Sequence, residues 1–94
     1  MIKMKILAVC GFGVGSSMVL KMTIEKVCKE LNLEANVDNL DLSSAKAESA
    51  DFILTSNELA DELRKSKNIP IYPIKKYMDK EEVKNAIEDY LSTL

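Results

Sequence analysis

Apolar positions along this chain change their spacing several times, and each change marks an element. Residues 5–9, Lys-Ile-Leu-Ala-Val, form a short and nearly continuous apolar run ending at Cys10, the pattern of a strand buried on both faces of a parallel sheet. From Ser16 or Ser17 onward the spacing becomes helical: Leu20, Ile24, Val27, Cys28 and Leu31 form one stripe, and Lys21, Glu25 and Lys29 line another face as i,i+4 pairs of opposite charge. Residues 34–38, with Ala35 and Val37 between polar neighbours, read as an edge strand. The small, polar stretch 43–50 fits either a connector or a single helical turn. A second buried strand, Asp51-Phe52-Ile53-Leu54-Thr55, leads into a helix running to about Lys65, for which Thr55 and Glu58 have capping-box spacing. Residues 69–74 are strand-like, but Pro70 and Pro73 confine them to a sheet edge. Asp79 and Glu82 then open a last helix whose Val83, Ala86, Ile87, Tyr90, Leu91 and Leu94 recur every three or four residues.

Four strands and three main helices in alternation predict an α/β fold: an open four-stranded parallel sheet with helices on both faces. The two most apolar strands belong in the centre and the polar and proline-bearing ones at the edges, which gives the order 2-1-3-4. In such sheets ligands bind at the carboxyl ends of the strands, beside the point where the order reverses. Cys10 and the turn Thr55-Ser56-Asn57 are therefore expected on one rim. A chain of 94 residues has room for one core, so residues 1–94 are read as a single domain.

Composition narrows the chemistry. Thirteen basic and 15 acidic side chains give a net charge of about −2, and the lysines are scattered, which argues against a nucleic-acid partner. No apolar run reaches the roughly 20 residues of a membrane span and the start lacks signal-peptide features, so a cytoplasmic location is expected. Two cysteines without CxxC spacing argue against a disulfide framework or a structural zinc, and no metal or cofactor is expected. With no histidine, the chain cannot build a Cys-His pair, a Ser-His-Asp triad or a histidine metal site; its one arginine is Arg64.

All three glycines fall in one turn, Cys10-Gly11-Phe12-Gly13-Val14-Gly15-Ser16-Ser17, between a buried strand and a helix. Glycines there allow successive N–H groups to point inward as an anion nest, and the helix adds the positive end of its dipole. A cysteine at the mouth of such a nest is expected to have a depressed pKa and to act as a thiolate nucleophile, with the same donors holding the oxygens of a transferred phosphoryl group. Ser16 and Ser17 would cap the helix and offer hydroxyls. The segment is neither a Walker loop nor a GxGxxG turn. The plain alternative is a tight-packing turn beside a small buried thiol.

Two families share a strand-Cys-loop-helix layout. The low-molecular-weight tyrosine phosphatases look similar, but they carry an arginine six residues after the cysteine, where this chain has Ser16. A closer resemblance joins Ile6-Leu7-Ala8-Val9-Cys10-Gly11-Phe12-Gly13-Val14-Gly15-Ser16-Ser17-Met18, continuing to Lys21-Met22, to the start of the ascorbate-type IIB subunits of the phosphoenolpyruvate-dependent sugar phosphotransferase system. Mannitol-type IIB domains share the Cys-x-x-Gly-x-Gly-Ser-Ser pattern. The resemblance implies that Cys10 is a phosphocysteine, that Gly11, Phe12, Gly13, Val14, Gly15, Ser16 and Ser17 bind the phosphate, that a IIA subunit donates from phosphohistidine, and that a sugar held by a membrane IIC subunit receives. It also implies that the histidines of the relay belong to the partners. A phosphatase-like hydrolase and a non-catalytic anion-binding module stay open as alternatives.

The remaining candidates are read more plainly. Cys28 lies on the apolar stripe and reads as core. Lys21 reads as a solvated lysine within reach of the loop. Phe12, Val14 and Met18 could form a docking patch, and Tyr72 and Tyr77 read as packing residues.

Overall fold

A computed structural model of the protein describes residues 4–10 and 14–94, the side chains of residues 14–16 excepted. Its elements run β1 (Met4–Val9), α1 (Val14–Glu30), β2 (Ala35–Leu40), α2 (Leu42–Ala47), β3 (Phe52–Thr55), α3 (Asn57–Ser66), β4 (Ile71–Pro73) and α4 (Lys80–Ser92). The strands make one four-stranded sheet in the order β2-β1-β3-β4, every neighbouring pair parallel. Both the fold class and the strand order are as the sequence predicts.

Strand periodicity divides the core. Ile6, Ala8 and Cys10 of the first strand, with Phe52 and Leu54 of β3, face Leu20, Ile24, Val27 and Cys28 of α1 and Val83, Ile87 and Tyr90 of α4. The intervening Leu7, Val9 and Ile53 face the other way, onto Ala45 of α2 and Ala60 and Leu63 of α3. Chain direction explains the split: β1 to β2 steps one way across the sheet and β3 to β4 the other, and right-handed crossovers then place α1 and α3 on opposite faces. On the α1/α4 face Phe52 lies stacked on Tyr90, ring centroids 4.2 Å apart, and edge-on to Tyr72 at 5.9 Å.

Element ends follow local chemistry. The first helix stops where Asn32 turns left-handed (φ 58°), with Leu33 N–H donating to Cys28 O at 2.8 Å and Asn32 N–H to Lys29 O at 3.1 Å, a Schellman closure. Asp79 caps α4, its Oδ1 accepting from Glu81 N–H (3.0 Å) and Glu82 N–H (3.4 Å). The proline-bearing β4 lies at the sheet edge and keeps only three residues.

Three local expectations are corrected, and one left open is settled. The first helix begins at Val14, not at Ser16 or Ser17, so Val14, Gly15, Ser16 and Ser17 form its opening turn. The N-cap of α3 is Ser56, whose Oγ accepts from Leu59 N–H at 3.4 Å, and Thr55 is the last residue of β3. The second strand runs on to Leu40, because β1 supplies ladder partners as far as Val9, opposite Leu40. The undecided stretch after it contains the six-residue α2, with Ala45 buried against the sheet. Among the described residues no helix is long and apolar enough to cross a membrane.

Candidate functional site

Cys10 follows the last residue of β1 at the carboxyl edge of the sheet, between the two central strands where the order reverses. Its side chain continues the even-numbered face of the strand and is 4% exposed. The first turn of α1 begins four residues later, so its N–H groups, which no residue inside the helix can accept, open toward the same edge. Gly11, Phe12 and Gly13 lie outside the described residues, as do the side chains of Val14, Gly15 and Ser16.

The ends of all four strands contribute polar groups to this rim. From β2, Asn39 Nδ2 donates to Ser17 Oγ at 3.3 Å, tying the sheet edge to the opening turn of α1. From β3, the fully buried Thr55 donates its hydroxyl to Val9 O at 2.7 Å, fastening the central strands together next to Cys10. Ser56 follows, half-buried, as the cap of α3. Beyond β4, Ile74 N–H donates to Thr55 O at 2.7 Å and starts the loop that leads to α4. That loop is clamped: Glu82 accepts from Lys75 N–H at 2.8 Å and from Lys76 N–H at 2.9 Å, and Asp79 N–H donates to Lys76 O at 3.0 Å. Tyr77 sits on it, half-buried against the apolar cluster that contains Cys10.

These contacts set the electrostatics of the thiol. Burial pushes Cys10 above the ordinary thiol value, and the Tyr77 hydroxyl, donating to sulfur, pulls it part of the way back. The depressed value expected from the sequence rested on loop N–H groups, and those of residues 11–13 lie outside the described residues. Among the groups described, burial outweighs the one donor. Tyr77 itself is pushed up to about 12, first by burial and then by its hydrogen bond to Cys10, so it stays a protonated donor at neutral pH. Cys28 is pushed up to about 11 by burial and by the Glu25 charge, in keeping with its reading as core.

The rim therefore gathers Cys10, Ser17 and the Thr55-Ser56-Asn57 turn, as predicted. Lys21 is half-exposed on α1, and Met18 is 43% exposed, whereas Phe12 and the Val14 side chain, the other two members of the suggested docking patch, are outside the described residues. Two participants escaped the sequence reading. Asn39 lay beyond the expected end of its strand, and Tyr77 was read as packing alone. Topology held the missing signal, since a loop leaving the carboxyl end of β4 must run along the same rim as Cys10. Tyr72 does fit a packing role: its ring lies edge-on to Phe52, and its hydroxyl is pushed up to about 12, chiefly by burial and then by the nearby Asp89 carboxylate.

Arg64 bears on the hydrolase alternative. Its guanidinium donates to Ile71 O at 3.1 Å and pairs with Asp61 at 3.4 Å, bracing the start of β4 at the opposite end of that strand from the rim. The sole arginine of the chain is thus engaged away from Cys10, and no guanidinium is placed to clamp a hydrolytic transition state.

Comparison with known proteins gives a consistent result. The family described as "PTS system, Lactose/Cellobiose specific IIB subunit" matches residues 5–89. The ascorbate-specific PTS system EIIB component of Mycoplasma pneumoniae is 36% identical over 88 residues, 92% of this chain and 93% of that one. In fold, the chain is similar to the lactose-specific IIB component domain from Streptococcus pneumoniae, with a TM-score of 0.61, 15% identity and 97% of each chain covered. It is likewise similar to an Enzyme IIB subunit of the PTS system from Escherichia coli, with a TM-score of 0.59, 16% identity and 99% and 94% covered.

Proposed function

Because the chain belongs to the lactose/cellobiose-specific IIB family of the sugar phosphotransferase system, whose members are phosphotransferases, we propose that Cys10 is its phosphoryl carrier. The donor is a phosphohistidine on a IIA subunit and the acceptor a sugar bound by a membrane IIC subunit. Ascorbate or a related carbohydrate is the favoured acceptor, on the strength of the relative that matches nearly the whole chain. The domain spans residues 1–94 and works at the cytoplasmic side of the membrane.

One observation carries the reading: a thiol stands at the switch point of a parallel sheet, four residues before the opening turn of a helix. In the first step the Cys10 thiolate, its proton lost to solvent, attacks phosphorus. The S–P bond forms as the N–P bond breaks, and the electron pair returns to the imidazole nitrogen of the donor. In the second step a sugar hydroxyl oxygen attacks phosphorus, the S–P bond breaks with its pair left on sulfur, and the hydroxyl proton passes to a base beside the sugar. Both steps build negative charge on the phosphoryl oxygens, which N–H donors of residues 11–17 would hold.

The test is reconstitution with phosphoenolpyruvate, the general phosphotransferase proteins and the cognate IIA. The chain should gain one phosphoryl label, and Cys10→Ser should gain none while unfolding at a similar temperature. Label on the Cys10→Ser variant would refute the assignment, and turnover of a small aryl phosphate by the wild-type chain would favour a hydrolase.

A further inference from the structure

The solvent face of α1 changes character along its length. Near its start it presents Met18, Val19 and Met22, 43%, 37% and 50% exposed, with the half-exposed Lys21 beside them; farther on it carries Glu25, Lys26, Lys29 and Glu30. Met78, in the loop between β4 and α4, is 81% exposed and forms a groove of about 300 Å³ with Val19 and Met22. Thr23, Lys26 and Lys80 complete the lining, and among the described residues no carboxylate lines it. Scattered exposed apolar side chains are ordinary, but three that converge on one recess from two elements make a surface for a partner.

The groove lies where a partner reaching Cys10 extends. The first helix starts at the carboxyl edge of the sheet, four residues after Cys10, and Val19 and Met22 stand about 8 and 12 Å along it at 1.5 Å per residue. Met78 follows Tyr77, which packs against the cluster containing Cys10. A standard protein–protein contact covers about 800 Å² on each side, a patch roughly 30 Å across, so one centred on Cys10 runs over the groove.

We propose that this groove seats the IIA donor, taking an apolar side chain of IIA between Val19, Met22 and Met78 and a neighbouring aspartate or glutamate of IIA on Lys26, an inference that rests on the carrier reading above. Charge selects the occupant. Lys26 is exposed, Lys80 stands beside it held by Glu30 at 2.7 Å, and Lys75 and Lys76 are exposed on the same loop as Met78. This positive border attracts a donor that arrives with an anionic phosphoryl group, and the attraction weakens once that charge has passed to Cys10. The acceptor, by contrast, meets a carrier whose lysines the phosphoryl group already partly neutralises. A recess also selects a protruding side chain of a protein over a flat bilayer. Methionine suits a contact that forms and breaks at every transfer, because its flexible, polarisable side chain adapts to an irregular surface.

The experiment measures the initial rate of phosphoryl labelling of the full chain against the concentration of cognate phospho-IIA. Met22→Glu and Met78→Glu should each raise the half-saturating IIA concentration roughly 10-fold. Lys26→Glu should raise it roughly 3- to 10-fold and flatten its dependence on salt. Leu94→Glu makes the same kind of change at a side chain 74% exposed beyond the far end of α4, and should leave the curve in place. A second measurement needs no substitution: in the chain carrying methyl-13C methionine, unphosphorylated IIA should shift or broaden the Met22 and Met78 signals and spare that of the buried Met4. Superimposable labelling curves for the groove variants, or unmoved Met22 and Met78 signals, overturn the proposal. So does any other occupant: vesicles of phosphatidylcholine and phosphatidylglycerol whose binding Met22→Glu abolishes, a self-associated form that Met22→Glu dissociates in sedimentation, or ordinary labelling of that variant by IIA with slowed transfer to sugar in IIC-bearing vesicles. Failure of the carrier reading looks different, since the wild-type chain would then take no label on Cys10 at any IIA concentration.

Discussion

Thr55 offers a single-atom test of how the site is held. Its side chain is fully buried, and its hydroxyl donates to Val9 O at 2.7 Å, joining the last residues of the two central strands directly before Cys10. Thr55→Val replaces that hydroxyl by a methyl group of similar volume, so no cavity opens and the loss is that of the hydrogen bond. Leaving a buried carbonyl with one partner fewer costs about 1–3 kcal/mol, and burying the new methyl returns up to about 0.8 kcal/mol. The expected net loss is on the order of 1–2 kcal/mol. For a domain of this size each kcal/mol lowers Tm by roughly 4–8 °C. Thermal and urea unfolding at pH 7 measure the global effect. Amide exchange of Ile74, whose N–H donates to Thr55 O at 2.7 Å, reads the local one, and it should quicken. The reasoning is refuted if Thr55→Val melts at or above the wild-type temperature, since the buried hydroxyl would then contribute nothing beyond its volume.

Two further predictions test the surroundings. Unfolded Cys28 ionises near 8.5 and folded Cys28 at about 11, so the folded state holds the proton more tightly; its contribution is present in full below about pH 8.5 and is lost as pH rises toward 11. Stability of the wild-type chain should therefore fall across that window by up to about 2–3 kcal/mol more than that of Cys28→Ala, and equal slopes in urea titrations at pH 8, 9 and 10 would contradict the burial argument. Glu82→Ala releases the backbone N–H groups of Lys75 and Lys76 at an exposed position, and should cost less than about 1 kcal/mol of stability. Because Tyr77 lowers the proton affinity of Cys10 and rides on this loop, the variant should slow Cys10 alkylation at neutral pH, and an unaltered alkylation profile would show that Tyr77 is placed without the clamp.

Most of the fold was legible because its strongest signals are those of burial. A central parallel strand must be apolar on both faces, and residues 5–9 and 51–55 alone have that character, which fixes the order of the sheet once Pro70 and Pro73 send the last strand to an edge. What could not be read is what depends on contacts between distant residues. Thr55 has capping-box spacing with Glu58, yet the carbonyl of Val9, 46 residues away in sequence, takes its hydroxyl and leaves the cap to Ser56. The opening turn of α1 includes Val14 and Gly15, two positions that propensity assigns to a loop. Tyr77 looks like a packing residue in any local window, and its tie to Cys10 arises only when the β4–α4 loop is folded back along the rim. The proposal that Cys10 is the chemical centre rests on a sequence signal, the three glycines gathered in the turn that follows it.

A sulfur that first attacks phosphorus and later leaves it works under opposing demands. Nucleophilicity grows with the pKa of a thiol, whereas departure becomes easier as that pKa falls, so an extreme value in either direction helps one step and hinders the other. The surroundings of Cys10 apply both influences at once. Burial on the α1/α4 face raises its affinity for a proton, and the Tyr77 hydroxyl lowers it. A fixed cation at the same place, such as the arginine of a phosphatase, would act on the phosphoryl oxygens as well as on sulfur and would favour attack by water. A neutral donor aimed at sulfur alone eases departure of the thiolate without offering the phosphoryl group that second clamp. Arg64, engaged at the far end of β4, offers Cys10 no such clamp, which fits the carrier role proposed for it.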